Sequence, residues 1–375
     1  MNLLINTASA FKGGSVQVAL SFLEECRRFD ENEYCVVLGP ALSMLVAPER
    51  FDGRFHFYSL SYRPATRIAF PWNRTADFLD GLVKRHQIQV AFTTSGPAYW
   101  RPKVPHVVGY NLPHYLYPES PYMTGMAPLR KLKWRFKKRA IRHYFQRDAD
   151  VLVTQTEAIQ RRLQRFIPDK PVHHVANTCS AHYFAPKECS PKLPPKGEHE
   201  FRFVSLSAWY PHKNLQILPA VIQALPEAVR LSVRFVLTLP EDTFAENFPE
   251  KSRPWIVNVG PVPVEEGPAL YRECDALFLP TLLECFSASY PEAMAMGKPI
   301  TTSDLDFARG ICADAALYFD PLDPAAIAST LSRLVVSPST QAELVEKGRR
   351  QLSTFGDATT RAEAYLNLCR QLVGA

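Results

Sequence analysis

Glu284 and Glu292 stand eight residues apart in DALFLPTLLECFSASYPEAMAMGKPITTSD, residues 275–304. The first falls on a turn and the second inside a stretch of helical composition. A helix start offers free backbone N–H groups and the positive end of its dipole to an anion such as a diphosphate. A charge of the right sign for that anion is Lys213, in the loop AWYPHKN, residues 208–214. A lysine at the start of a helix opposes the favourable dipole arrangement. A bound diphosphate would account for it, because an ammonium neutralises phosphate well. These residues point to a phosphorylated ligand.

The elements that position them follow from hydrophobic runs. Ala276-Leu277-Phe278-Leu279, closed by Pro280, reads as a buried parallel strand. After the turn Thr281-Leu282-Leu283, helical composition runs over 287–296 and is stopped by Gly297-Lys298-Pro299. Ile300-Thr301-Thr302 resumes a strand. Glu284 is thus placed at the carboxyl end of a parallel strand, where open α/β sheets bind ligands. The same alternation predicts strands at 3–5, 34–38, 55–60, 90–93, 107–108, 149–156, 233–237, 256–262 and 315–321, with helices at 16–29, 76–86, 268–274 and 358–372. Phe201 to Ser207 opens a second sheet.

A length of 375 residues exceeds one ordinary core and suits two domains. The composition, 46% hydrophobic and 21% charged, is that of a soluble globular protein. The expected division is a first domain over 1–184, a proline- and lysine-rich linker over 185–200, and a second domain over 201–357. Eight cysteines without CxxC or zinc spacing read as thiols in a reducing compartment. No apolar run approaches a membrane span, and residues 1–6 lack a basic lead-in and cleavage site, so a cytoplasmic location is expected. Gly13-Gly14 opens the first helix but is not part of G-x-G-x-x-G, so no nicotinamide site is read.

Glu284-Cys285-Phe286-Ser287 followed by Pro291-Glu292-Ala293-Met294-Ala295-Met296-Gly297-Lys298-Pro299 resembles the E-x7-E donor-site signature of family four (group 1) retaining glycosyltransferases of the bacterial surface-polysaccharide type. Cys285 and Ser287 stand where the family has glycines. VLVTQTEAIQRRL (151–163) and HHVANTCSAHYF (173–184) resemble the family as well. The resemblance implies the GT-B fold, an α/β architecture of two Rossmann-like, doubly wound domains facing a cleft, with helix 358–375 returning to the first. It also implies sugar transfer from a nucleotide diphosphate donor, a UDP- or GDP-sugar, to a hydroxyl of a glycan or lipid-linked acceptor, with no cofactor. On this pattern Glu292 holds the ribose hydroxyls, Lys213 the diphosphate, and the backbone near Val262 the nucleobase. Glu284 and the amides of Phe286 and Ser287 orient the sugar and stabilise the departing diphosphate. Gly13 and Gly14 let a loop approach donor or acceptor. In the loop after strand 107–108, Asn111 and His114 are both candidates for contact with the transferred sugar. The family's arginine before the lysine falls at Ser207 or Ala208 here, which leaves His212 as a substitute phosphate contact.

Two Asp-x-Asp triplets bear on metal binding. Asp148-Ala149-Asp150 precedes a strand, the wrong end for a ligand site, and Asp304-Leu305-Asp306 reads as a surface turn, so no metal is expected. Residues 130–147, RKLKWRFKKRAIRHYFQR, hold nine Lys or Arg and no acid, with Trp134, Phe136, Tyr144 and Phe145 among them. Basic residues interleaved with aromatics suit an anionic membrane surface, and no nucleic-acid motif accompanies them. A peripheral position on the inner face of the cytoplasmic membrane is therefore expected. On a helical wheel Leu132 and Phe136 fall on one side, and Trp134, Ile141 and Phe145 on a neighbouring one, giving a broad apolar stripe. A nucleotide-sugar epimerase of the same fold would need no such segment. A non-catalytic, membrane-associated sugar-nucleotide-binding protein would not need Glu284 and Lys213 together.

Overall fold

A computed structural model describes residues 1–11, 13–66 and 74–374. The chain forms two compact units. One comprises Met1–Leu116, Met126–Asn177 and Asp357–Ala375, the other Tyr117–Gly125 and Thr178–Gly356.

In the first unit seven strands form one sheet: β1 Asn2–Asn6, β2 Glu33–Leu38, β3 Phe55–Ser59, β4 Val90–Thr93, β5 His106–Gly109, β6 Val151–Thr154 and β7 Val172–His174. Their order is β3-β2-β1-β4-β5-β6-β7, and every pairing is parallel. In the second unit β8 Phe201–Ser205, β9 Val233–Leu237, β10 Ile256–Asn258, β11 Ala276–Leu279, β12 Ile300–Ser303 and β13 Ala316–Phe319 run in the order β10-β9-β8-β11-β12-β13, again all parallel. Both sheets are therefore doubly wound, as expected. Their strand order reverses between β1 and β4 and between β8 and β11, the positions where such sheets bind ligands.

Short apolar runs make these strands because helices cover both faces. Leu3, Leu4 and Ile5 are fully buried, as are Ala276 through Leu279. In the second sheet Phe203, Phe235, Phe278 and Phe319 pack ring to ring across four strands, with centroids 5.5–5.8 Å apart. Each such ring contributes about 1.5–3 kcal/mol by leaving water. In the first unit helix Gly14–Cys26 packs against the last helix, Ala358–Val373, with Phe22 edge-on to Tyr365 at 5.6 Å. Buried Arg361 donates to the side chains of Ser21 and Asn177, which gives Asn177 a structural role.

The structure departs from the expected segment boundaries in three places. Residues 185–200 are not a loose linker but are tied to the second unit. The backbone N–H groups of Lys192 and Leu193 donate to the two carboxylate oxygens of Glu273 at 2.9 and 2.8 Å, and Arg202 donates to the Pro194 carbonyl at 2.8 Å. Irregular backbone satisfied by distant side chains leaves no periodic trace in sequence. Residues 117–125 and 178–184, both read with the first domain, belong to the second unit. Finally, Asp304-Leu305-Asp306 is not an isolated turn, because it leads into helix Asp306–Cys312.

Candidate functional site

Lys213 and Glu284 meet at the strand-order reversal of the second sheet. The loop after β8 carries Ser207, His212 and Lys213, and the loop after β11 carries Glu284, Phe286 and Ser287. Lys213 Nζ lies 2.6 Å from Glu284 Oε1, and their side chains are only 13% and 11% exposed. The Thr281 hydroxyl stands 3.0 Å from the same carboxylate oxygen and 3.1 Å from the His212 carbonyl. Leu282 N–H donates to that carbonyl at 2.7 Å, which binds the two loops to one another.

Lys213 does not open a helix as the sequence suggested. It ends the 3₁₀ turn Pro211–Lys213, and Asn214 follows in the left-handed conformation (φ 57°), its side chain donating to the Pro321 carbonyl at 2.8 Å. No helix dipole therefore acts on this lysine. Lys213 is instead a cation almost removed from water, held by one carboxylate at the strand-order reversal of the sheet.

Helix Ser289–Ala295 starts two residues later than predicted, so Phe286 and Ser287 lie in the loop ahead of it and Glu292 in its first turn. Glu292 is buried, and burial raises its carboxyl to about 7, opposed by a hydrogen bond from Tyr183 and by the Lys213 charge. Tyr183, on the turn Ala181–Tyr183, is a site residue that the sequence did not single out. Its hydroxyl sits so close to Gly267 that a Cβ there would come within 2.3 Å, which explains glycine at that position. The ring of Tyr183 lies edge-on to Tyr271 at 5.8 Å, and Tyr271 donates to the Ser289 carbonyl at 3.3 Å. A buried pair of phenols thus supports both the helix and its carboxylate.

The segment 117–125 touches the same loops. Buried Ser120 donates from Oγ to the Leu282 carbonyl at 2.7 Å while accepting from Tyr122 N–H at 3.2 Å. The Tyr122 ring lies 5.9 Å from His212, and His212 stacks on Tyr210 at 5.4 Å. His212 is thus held among aromatic rings beside Lys213. Ser207 turns its hydroxyl to the Ala208 carbonyl at 3.0 Å and supplies no charge. Val262 is half-buried beyond the end of β10.

In the first unit Gly13 and Gly14 follow β1, and Asn111 and His114 follow β5, so all four lie at the carboxyl edge of the sheet. Gly13 has φ 61°, a conformation that favours glycine, whereas nothing lies within 4 Å of a Cβ built on Gly14. Asn111 Oδ1 is buried with no hydrogen-bond partner among the described residues. His114 stacks on Trp134, centroids 5.3 Å apart at 20°. The Asp-x-Asp triplets are engaged structurally: Arg309 grips both oxygens of Asp304, Arg147 pairs with buried Asp148 at 2.6 Å, and Arg101 with Asp150 at 2.6 Å.

Comparison with known proteins matches residues 200–337 to the family Glycosyl transferases group 1. O-antigen chain mannosyltransferase B of Escherichia coli is 27% identical over 186 residues, covering 47% of this chain and 49% of the relative. The chain thus spans about half the length of that curated relative. HepE from Anabaena, solved in complex with UDP and glucose, superposes with a TM-score of 0.70 at 14% identity, covering 99% of this chain and all of HepE. WaaG, a glycosyltransferase involved in lipopolysaccharide biosynthesis, gives 0.70 at 13% identity over 98% and 99% of the two chains. These two likenesses concern the fold.

Proposed function

We propose that this chain, a GT-B protein carrying a group 1 glycosyltransferase domain, transfers a hexose from a nucleoside diphosphate donor to a hydroxyl of a glycan or lipid-linked acceptor with retention of configuration. The observation that carries the proposal is the pairing of Lys213 with Glu284 at the reversal of the second sheet, with Glu292 on the helix that follows. A diphosphate would compete with Glu284 for the Lys213 ammonium. Glu284 would then turn to the hydroxyls of the sugar, and Glu292 would accept from the ribose hydroxyls. The amides of Phe286 and Ser287 would meet charge developing on the leaving diphosphate. The bond from the anomeric carbon to the diphosphate breaks as the bond to the acceptor oxygen forms, and the acceptor's proton leaves with the diphosphate. The nucleobase lies along the backbone near Val262, and Asn111 and His114 are the candidates for contacts with the sugar. No cofactor is assigned.

The named activity of the Escherichia coli relative supports a part in surface-polysaccharide synthesis, and the UDP held by HepE supports a nucleotide-sugar donor. UDP- and GDP-sugars are the first donors to test. In a thermal-shift screen of UDP-, GDP-, ADP- and dTDP-sugars, a donor at a hundredfold its Kd should stabilise by about 2.7 kcal/mol. That donor should then label a glycan acceptor. Neither a shift nor transfer with any of the four would overturn the reading.

Helix Pro128–Asp148 supports a membrane-side location. Its apolar side chains divide differently from the broad stripe expected. Ile141 and Phe145 are buried in the first unit, whereas Leu129, Leu132 and Phe136, on the opposite side at helical spacing, are 84%, 50% and 64% exposed. This narrow stripe is flanked by Lys and Arg whose stems can lie in the interface while their charges reach headgroups. Among the described residues no helix is long and apolar enough to cross a membrane. Co-sedimentation should rise with the phosphatidylglycerol content of vesicles, fall with salt, and its binding constant drop about thirtyfold for Phe136→Ser, given about 2 kcal/mol for a buried ring. Equal sedimentation with neutral and anionic vesicles would remove the membrane from the proposal.

A further inference from the structure

At the amino edge of the first sheet two histidines share a recess of about 100 Å³. Asn2 and Glu33, which border it, open β1 and β2, so it lies at the opposite edge of the sheet from Gly13, Asn111 and His114. Asn2 stands opposite Glu33 and Cys35 opposite His56, and parallel pairing directs all four side chains to one face. Helix Arg74–Arg85 covers that face through Leu79 and Leu82, and His86 follows its last turn. The His86 ring lies 4.7 Å from that of His56, centre to centre, at 32°. The Tyr58 hydroxyl stands 2.7 Å from His86 Nε2. Asn2 Nδ2 donates to the carbonyls of His86 and Gln87 at 3.2 and 3.3 Å, and Gln87 turns the chain with φ 48°. His86 is thus fixed by its ring and by its main chain. Neither ring nitrogen of exposed His56 has a hydrogen-bond partner among the described residues.

We propose that His56 and His86 together bind a divalent transition-metal ion, Zn²⁺, Cu²⁺ or Ni²⁺, in a site that takes no part in sugar transfer. Imidazole suits these ions and is their commonest protein ligand. Tyr58 engages His86 through Nε2, which leaves Nδ1 to the ion. A ligating histidine ordinarily has its other ring nitrogen held in this way. Among the described residues no three His, Cys, Asp or Glu side chains are grouped to hold a metal. Cys35, only 1% exposed, is therefore lining, and the protein supplies two ligands while water supplies the others. The volume admits an ion with two or three waters at about 30 Å³ each. Glu33 stands on the rim, where its carboxylate accepts from those waters and disfavours an anion. His56 belongs to β3, the outermost strand, and His86 to the turn between helix Arg74–Arg85 and β4. The ion ties the edge of the sheet to the helix that covers it, a stabilising part that does not depend on the transferase reading.

The test is calorimetry on the full chain without an affinity tag, titrating Zn²⁺ against Mg²⁺ as control. One equivalent of Zn²⁺ should bind and raise Tm. Mg²⁺, which takes oxygen ligands, should not bind. His56→Gln and His86→Gln should each weaken Zn²⁺ at least about a hundredfold, and Tyr58→Phe about tenfold with the stoichiometry kept. His173→Gln/His174→Gln should leave it unchanged, because consecutive residues of β7 face opposite sides of the sheet and do not form such a pair. No Zn²⁺ binding in the parent, full affinity in either single histidine variant, or loss in His173→Gln/His174→Gln would overturn the inference. Equal binding of Mg²⁺ would overturn it as well. A second measurement needs no variant: the paramagnetic resonance spectrum of the Cu²⁺ form should show coupling to two imidazole nitrogens, and coupling to one or none would sink the pair. Should His86→Gln lower the metal-free Tm, His56→Gln decides, since that ring is exposed and the fold does not rest on it.

Discussion

Lys213→Ala is expected to weaken a nucleoside diphosphate by up to about a hundredfold and the bare nucleoside hardly at all. A hydrogen bond to a charged group contributes about 1.5–3 kcal/mol, or roughly ten- to more than a hundredfold. Little else near this position shares the load. Ser207 and Ala208 stand where an arginine is usual, and the Ser207 hydroxyl is turned to its neighbour's carbonyl. The substitution also leaves Glu284 buried without its cation, which costs stability. Binding should therefore be measured well below the variant's Tm. Glu284→Gln is the companion: it keeps an amide oxygen near Thr281 and should lower kcat by about tenfold or more with a smaller change in donor Kd. Calorimetry showing equal losses of diphosphate and nucleoside in Lys213→Ala would place the lysine away from the phosphates.

The second large effect is on pH. Donor affinity should fall by about tenfold for each unit below pH 7, because burial holds the Glu292 carboxyl at about 7 and ribose hydroxyls donate to its ionised form. The groups facing it are Tyr183, which donates a hydrogen bond, Tyr271 and the Lys213 ammonium. Tyr183 and Lys213 favour the carboxylate, so Tyr183→Phe should move the midpoint of the Kd profile upward in pH while leaving affinity at high pH nearly unchanged. A purely structural tyrosine would lower affinity equally at every pH. Stability without donor runs the other way. A carboxyl raised in the folded state binds more protons there than in the unfolded chain, so its contribution is complete below about 4.5 and is lost as pH rises through about 7. The amount is on the order of 3 kcal/mol. Asp148, raised by burial to about 6, titrates in the same window. The difference between parent and Glu292→Gln isolates the Glu292 part. A donor Kd flat from pH 5.5 to 8.5 would remove Glu292 from the ribose.

Strands were legible because parallel strands covered on both faces are short, wholly apolar runs. Leu3 to Ile5 and Ala276 to Leu279 leave no alternative reading once proline, glycine and turn residues bound them. The loops with Glu284 and Lys213 were legible for the same reason, since a site at the end of a strand is found when the strand is. What escaped was pairing over distance. Tyr183 reaches Glu292, and Ser120 reaches Leu282, through single side-chain hydrogen bonds that impose no period on either segment. Residues 185–200 escaped likewise, because one carboxylate, Glu273, satisfies two backbone donors that the sequence alone leaves open. Helix Pro128–Asp148 was recognised but its sides were not, since apolar residues surround it and only the packed unit decides which of them are covered.

The nine residues Tyr117–Gly125 make the second unit discontinuous in sequence. A fragment cut as 178–356 would retain every strand of that sheet, as well as Lys213, Glu284 and Glu292, yet would leave the Leu282 carbonyl without the Ser120 hydroxyl and His212 without the Tyr122 ring. Exchange of the second unit between chains of this fold is therefore not a matter of two cuts. A chimaera that trades the second half of the chain must carry 117–125 with it, or accept a foreign segment against the loop that holds Glu284. The origin of the loop that holds Glu284 is tied in this way to a short stretch of the first half, and a recombination point just before 117 would preserve that coupling where one between 125 and 178 would break it.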